Sequence, residues 1–202
     1  LDDVLRHSDY AGFETRRAEA NARGKLRGIS VCTFVEPAGG GGSPVEETAI
    51  QFGAAGNPTI YTVSGPSGQG HETVFPDIVA QTLGLDPLNV TLKYSDPDGP
   101  PLKGDGTIGS RSLMAHGGSL LLAAREVVRK GMTLASQHLE VAEADLEFTG
   151  GTYRVKGTDR SVALLDLARK HPATAGVHPL DAGGDMAHTS AFPGGAHVAE
   201  VE

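Results

Sequence analysis

The chain has a single cysteine, Cys32, and no tryptophan in 202 residues. One thiol excludes an internal disulfide and a thiolate metal cluster. It suits a reducing compartment, so a cytoplasmic location is expected. Basic residues are also in deficit, and the formal net charge is −8. A nucleic-acid backbone or an anionic membrane surface selects the opposite sign, so neither is an expected partner. No apolar run approaches a bilayer span. Neither a basic-then-apolar leader nor an initiator Met is present, so no secretion signal can be read. The hydrolytic signatures are missing as well: there is no GxSxG elbow, HExxH helix or Cys–His pair. His178, His188 and His197 match no zinc spacing and read as scattered surface histidines. The sequence therefore nominates no catalytic residue and no metal ligand.

What is present suffices for a globular core. Apolar residues make up 39% of the chain, and the signature of disorder is absent. Glycine is abundant, at 28 residues. Leu1–Gly24 reads as two short helices, Asp2–Tyr10 and Gly12–Arg23, the second a solvated outer helix. Gly28–Val35 alternates and is β-rich. A glycine run, Gly39–Ser43, follows; its composition fits a flexible linker, while its place between strands fits a functional loop. Glu46–Phe52 and Thr59–Val63 continue a strand meander, and Val90–Tyr94 supplies a fourth strand. Leu146–Thr149 and Thr152–Val155 form a hairpin around Gly150-Gly151. Ser161–Arg169 reads as a short helix capped by Ser161, and Ala173–Gly195 as polar loop. The last residues, from His197, read as a strand.

Two junctions stand out. Thr59–Val63 leads through Gly65-Pro66-Ser67-Gly68-Gln69-Gly70 into an amphipathic helix, Glu72–Leu83, closed by Gly84. Pro76 places the helix start within a residue or two of Thr73. The free amides of a first turn and the positive end of the helix dipole make such a junction an anion-site candidate. A tight strand-to-helix connection fits equally. The spacing is neither a P-loop nor a dinucleotide GxGxxG fingerprint.

The second junction is Thr107-Ile108-Gly109-Ser110-Arg111-Ser112, which enters the longest helix, to Leu139. Ser110 or Ser112 is the expected cap. Arg111 is a cation at the helix end where the dipole disfavours one. It needs a negative partner, and Asp105, Asp96 and a ligand phosphate are all open. Gly117 and Gly118 each cost about 1 kcal/mol against alanine in a helix, which implies a close neighbour there.

Gly68-Gln69-Gly70-His71-Glu72-Thr73, Ser95-Asp96-Pro97-Asp98 with Pro101 and Gly104, and Gly106-Thr107-Ile108-Gly109-Ser110-Arg111-Ser112 occur in that order. With Phe34-Val35-Glu36-Pro37 and Phe192–Val201, they resemble the molybdenum-cofactor-binding large subunit of the xanthine dehydrogenase / aldehyde oxidase / aerobic carbon monoxide dehydrogenase family. The resemblance covers nearly the whole chain. It implies a single partial domain over 1–202, cut at both ends from a longer polypeptide. It implies binding of a molybdopterin cytosine dinucleotide, with Gly68, Gln69, Gly70, His71, Glu72, Thr73, Gly109, Ser110, Arg111 and Ser112 as contacts, and Arg111 toward a phosphate. It also implies that the parent is a molybdenum hydroxylase whose partners are the rest of the large subunit and iron–sulfur and FAD subunits.

The family's Gly-Gly-Phe-Gly-Gly segment, its substrate loop and its late Gly-Val-Gly-Glu segment are absent, so the chain alone is expected to be inactive and free of molybdenum. The rival readings are a non-catalytic module on the same scaffold and, less in keeping with the missing phosphate signatures, a free nucleotide-binding protein. The expected fold is α+β, a mostly antiparallel sheet packed on the helices Glu72–Leu83 and Ser110–Leu139.

Overall fold

A computed structural model describes residues 1–39, 45–187 and 189–202. All but the first residue of the glycine run Gly39–Ser43 lies outside the described residues, as does His188. The chain divides into two compact units, Leu1–Ala38 with Ser190–Glu202, and Gly39–Thr189. Reading 1–202 as one domain drew no such boundary. The helices are α1 (Asp2–His7), α2 (Phe13–Ala22), α3 (His71–Leu83), α4 (Gly118–Leu139) and α5 (Leu164–Lys170). The strands are β1 (Gly28–Val35), β2 (Val45–Phe52), β3 (Pro58–Thr62), β4 (Thr91–Tyr94), β5 (Leu146–Thr149), β6 (Thr152–Val155), β7 (Ser161–Ala163), β8 (Ala182–Ala187) and β9 (Gly194–Val201).

In the first unit β1 pairs antiparallel with β9, from Gly28 opposite Val201 to Val35 opposite Gly194. The sequence reading set β1 beside the next strand of a meander; that neighbour is instead β9, 160 or so residues away in the chain. Phe13 and Ala20 are the buried apolar side chains of this unit. Charge does much of the tying. Arg16 lies 2.7 Å from Glu200, and Arg27 bridges Glu200 at 3.1 Å and Glu202 at 2.8 Å. The outer helix α2 is therefore joined to β9 through Arg16 rather than simply solvated.

The second unit holds a four-stranded sheet in the order β4-β3-β2-β8 and a three-stranded antiparallel sheet, β5-β6-β7. Pairing is antiparallel except between β3 and β4, which run parallel because α3 carries the chain back between them. Helix α4 packs on β2 and β8, and α3 packs on α4 and β4. The core between them includes Ile50, Ile60, Phe75, Val79, Leu83, Leu120, Val127, Leu164 and Leu167. The mostly antiparallel α+β fold expected from the sequence is the fold observed.

Three local expectations need correction. Ser161 does not cap a helix: Ser161–Ala163 adds a strand to the β5–β6 hairpin, and α5 starts at Leu164 after Ala163. The loop expected over Ala173–Gly195 contains β8, whose sequence AGGDMA has little β-propensity. Its glycines serve packing. A Cβ on Gly184 would stand 2.0 Å from the Ser119 carbonyl oxygen of α4, so only glycine lets strand and helix approach this closely. The third concerns the long helix, which opens as a π-helical segment, Ser112–Gly117, before α4. Neither Ser110 nor Ser112 caps it; the residue before its first turn is Arg111, and no side chain caps there. The neighbours of Gly117 and Gly118 are side chains, Leu113 with Ile78 and Met186 respectively.

Candidate functional site

The site forms where β3 hands the chain to α3. Gly70 adopts φ 82° and precedes the first helical residue, His71. That left-handed turn suits glycine, and a Cβ there would meet nothing within 4 Å, so the space above the turn is open. The Gly70 carbonyl accepts from the amides of Thr73 and Val74, at 3.1 and 3.0 Å. The amides of His71 and Glu72 open the helix with no intrahelical acceptor available to them. Pro76 sits in the second turn rather than the first, where it withholds the usual donor from the Glu72 carbonyl.

Helix α3 buries His71, Phe75, Val79 and Leu83, a stripe at spacing four. His71 thus begins the core face of the helix; the same periodicity in the sequence, extended one turn back, would have marked it. The imidazole stacks on Phe75 with ring centroids 4.5 Å apart. It is 5% exposed, and its Nδ1 has no hydrogen-bond partner among the described residues. A buried nitrogen without a partner is costly unless a ligand or water satisfies it.

The second junction lies across from the first. Gln69, His71, Val74 and Phe75 share one cleft, of about 470 Å³, with Thr107, Ile108, Gly109, Ser110, Ser112 and Leu113. Hydroxyl groups tie the two sides together beneath it. Ser64 Oγ lies 2.7 Å from Thr107 Oγ1 and 3.1 Å from Ser112 Oγ, and Thr107 Oγ1 donates to the Gly65 carbonyl at 2.8 Å. Ser64 lies outside the motif segments and Thr107 opens the second of them; their role in joining the junctions follows only from the fold. Ser110 holds φ 55°, an uncommon conformation for a residue with a side chain, at the cleft wall.

Gln69, His71, Gly109, Ser110 and Ser112 therefore line a common cleft. Gly68, Gly70, Glu72 and Thr73 belong to the same loop and helix start but are not among the lining residues. The Gln69 side chain turns back on its loop, accepting from the Ser67 amide and donating to the Gly65 carbonyl at 3.2 Å. Arg111 meets carboxylates of the protein itself. Its side chain is fully buried, with Nη1 2.8 Å from Asp105 and Nη2 paired with Glu46. Asp105 was one of the partners considered from sequence; Glu46, on β2, was missed because nothing local links it to Arg111. Asp96, the other carboxylate considered, bonds Lys93 at 2.7 Å, and that cation holds its carboxyl below the usual range. Among the described residues, no group of three or more His, Cys, Asp or Glu side chains could hold a metal ion.

Known proteins are similar to this chain in sequence and in fold. A profile of the molybdopterin cofactor-binding domain matches residues 3–202. The chain belongs to that family. It is 34% identical over 176 residues to the 6-hydroxypseudooxynicotine dehydrogenase complex subunit gamma of Paenarthrobacter nicotinovorans, which covers 87% of this chain and 22% of the relative. It is 31% identical over 195 residues to the carbon monoxide dehydrogenase large chain of Hydrogenophaga pseudoflava, covering 89% of this chain and 24% of the relative. Reconstituted CO dehydrogenase from Oligotropha carboxidovorans superposes with a TM-score of 0.75 at 26% identity, over 98% of this chain and 27% of that one. The chain thus spans under a third of each of these relatives. For a molybdopterin cofactor-binding domain the cleft and the turn beside it have fitting features: open space over Gly70, helix-start amides without intrahelical acceptors, and a buried imidazole nitrogen without a partner among the described residues.

Proposed function

We propose that this domain holds the pyrophosphate of a molybdopterin dinucleotide, in the cytosine form, in the cleft between Gln69–His71 and Gly109–Ser112. The observation that carries the reading is His71: a side chain lining a cleft shared by two loop-to-helix junctions, with a buried nitrogen that has no partner among the described residues. The amides of His71 and Glu72, at the positive end of α3, donate to phosphate oxygens. His71 donates a further hydrogen bond from its ring, and Ser110 and Ser112 supply hydroxyl donors from the opposite wall. Val74, Phe75, Ile108 and Leu113 give the cleft apolar sides that exclude water and strengthen those bonds.

The parent polypeptide, in this reading, is the large subunit of a molybdenum hydroxylase working with iron–sulfur and FAD subunits in the cytoplasm. When bound, the cofactor supplies the redox chemistry by which water-derived oxygen enters a small substrate. No helix among the described residues is long and apolar enough to cross a membrane. The test is metal analysis of the full-length polypeptide with acid release of the nucleotide, repeated for His71→Phe. That change keeps the stack on Phe75 and removes the ring nitrogen. Molybdenum and a cytosine nucleotide in equal amounts, both reduced in His71→Phe, are expected. A full-length protein with neither would favour the non-catalytic module.

A further inference from the structure

A buried charged cluster holds the loop that leads to the cleft wall. Glu46 of β2 is fully buried, as are Arg111 and His116. One Glu46 oxygen, Oε1, accepts from the Asp105 amide at 3.0 Å and pairs with Arg111 Nη2. The other, Oε2, lies 2.8 Å from His116 Nε2 in the π-helical segment. Asp105 closes the set through Arg111 Nη1 at 2.8 Å. A Cβ on Gly104 would stand 2.0 Å from Glu46 Oε2, so glycine makes the room for the carboxylate to pass under the loop. A single carboxylate on the sheet thus grips the start of the 105–111 loop, its end, and the helix beyond it. Gly109 and Ser110, between those grips, form part of the cleft wall.

We infer that Glu46 is a positioning residue for the anion cleft: by fixing both ends of the 105–111 loop it presents the Gly109–Ser112 backbone and hydroxyls to the ligand. This rests on the cofactor reading above. Buried ion clusters of this kind contribute little net stability against apolar replacements, but they enforce one geometry when every member is paired. A loop holding Ser110 at positive φ needs such enforcement.

The test uses the full-length polypeptide. Glu46→Gln keeps the shape and removes the charge, and the readouts are melting temperature and molybdenum and cytosine nucleotide per chain. Leu167→Ala, a core change in α5 at a residue outside the cleft lining, supplies a destabilised control. Glu46→Gln is expected to lower cofactor content by about ten-fold, as loss of supporting groups behind ligand-holding ones does. Leu167→Ala, at a comparable drop in melting temperature, is expected to retain it. Wild-type retention in Glu46→Gln overturns the inference, as does equal loss in Leu167→Ala. If Glu46→Gln does not fold, Asp105→Asn decides, because it weakens one grip and leaves the Glu46–Arg111 pair. Several-fold faster nucleotide loss from Asp105→Asn supports the inference, and unchanged retention overturns it. An unmutated protein without molybdenum or nucleotide removes the cofactor reading itself, and that failure is visible before any substitution is made.

Discussion

Gly184 and its neighbour Gly183 provide a test of how closely β8 sits on α4. A Cβ on Gly184 would meet the Ser119 oxygen at 2.0 Å, the Ala123 nitrogen at 2.9 Å and the Ser119 carbonyl carbon at 3.0 Å. All three are backbone atoms of one helix, so no side chain can swing aside. Strand and helix must separate by about 1 Å to accept the methyl group, and overpacking of this kind costs roughly 1–3 kcal/mol. The separation also strains two buried hydrogen bonds. Ser119 Oγ donates to the Gly184 carbonyl at 2.7 Å, and Thr48 Oγ1 lies 2.8 Å from Ser119 Oγ. At about 0.5–1.5 kcal/mol each, their loss brings the expected cost of Gly184→Ala to roughly 2–6 kcal/mol. Gly183 points to the other face of the strand, where a Cβ would approach only the Thr48 oxygen, at 3.8 Å. Gly183→Ala should therefore be neutral or stabilising by about 0.5 kcal/mol, through the lower entropy of the unfolded chain. Urea unfolding of the three proteins gives the comparison through the midpoint at constant m. If Gly184→Ala unfolds within about 0.5 kcal/mol of Gly183→Ala, the close packing of β8 on α4 is wrong.

Other consequences follow from buried or paired charges. Arg111→Ala should destabilise the chain by roughly 3–5 kcal/mol in the same assay, because it leaves the Glu46 carboxylate buried without its cation; a change below about 1 kcal/mol would falsify the buried bridge. Hydrogen bonds from Arg16 to Glu200 and from Lys25 to Glu202 hold both carboxyls below their usual value of 4.5. Their contribution is complete above that value and disappears as pH falls through the lowered folded-state value. Amide exchange in β1 and β9 should thus accelerate in acid before exchange in α4 does, and simultaneous loss in both would count against the charge network. Burial raises the Tyr153 phenol well above its ordinary value of 10.0, and its hydroxyl donates to the Val128 carbonyl at 3.0 Å. Stability should decline as pH rises above about 10, the unfolded-state value, and Tyr153→Phe should remove that decline at a cost of about 0.5–1.5 kcal/mol near neutrality. An alkaline profile unchanged by the substitution would assign the decline to other groups.

Local chemistry determined much of this protein. The alternation of Gly28–Val35 specified a strand with the bounds observed, and the Gly84 stop and the apolar spacing from Phe75 to Leu83 specified α3. The two junctions were readable as loop-to-helix turns because glycine or a capping serine stands before an apolar-periodic run in each. That residues of both line one cleft is seen only in the fold. Tertiary structure decided what no local signal encodes. β1 pairs with β9 because register across so long a separation depends on the whole chain, and alternation alone does not name a partner. β8 is a strand despite its glycines because contact with α4 outweighs propensity. Arg111 faces inward for the same kind of reason. The sequence showed a cation at an unfavourable helix end, and only the fold brought the buried Glu46 carboxylate from β2 to its side.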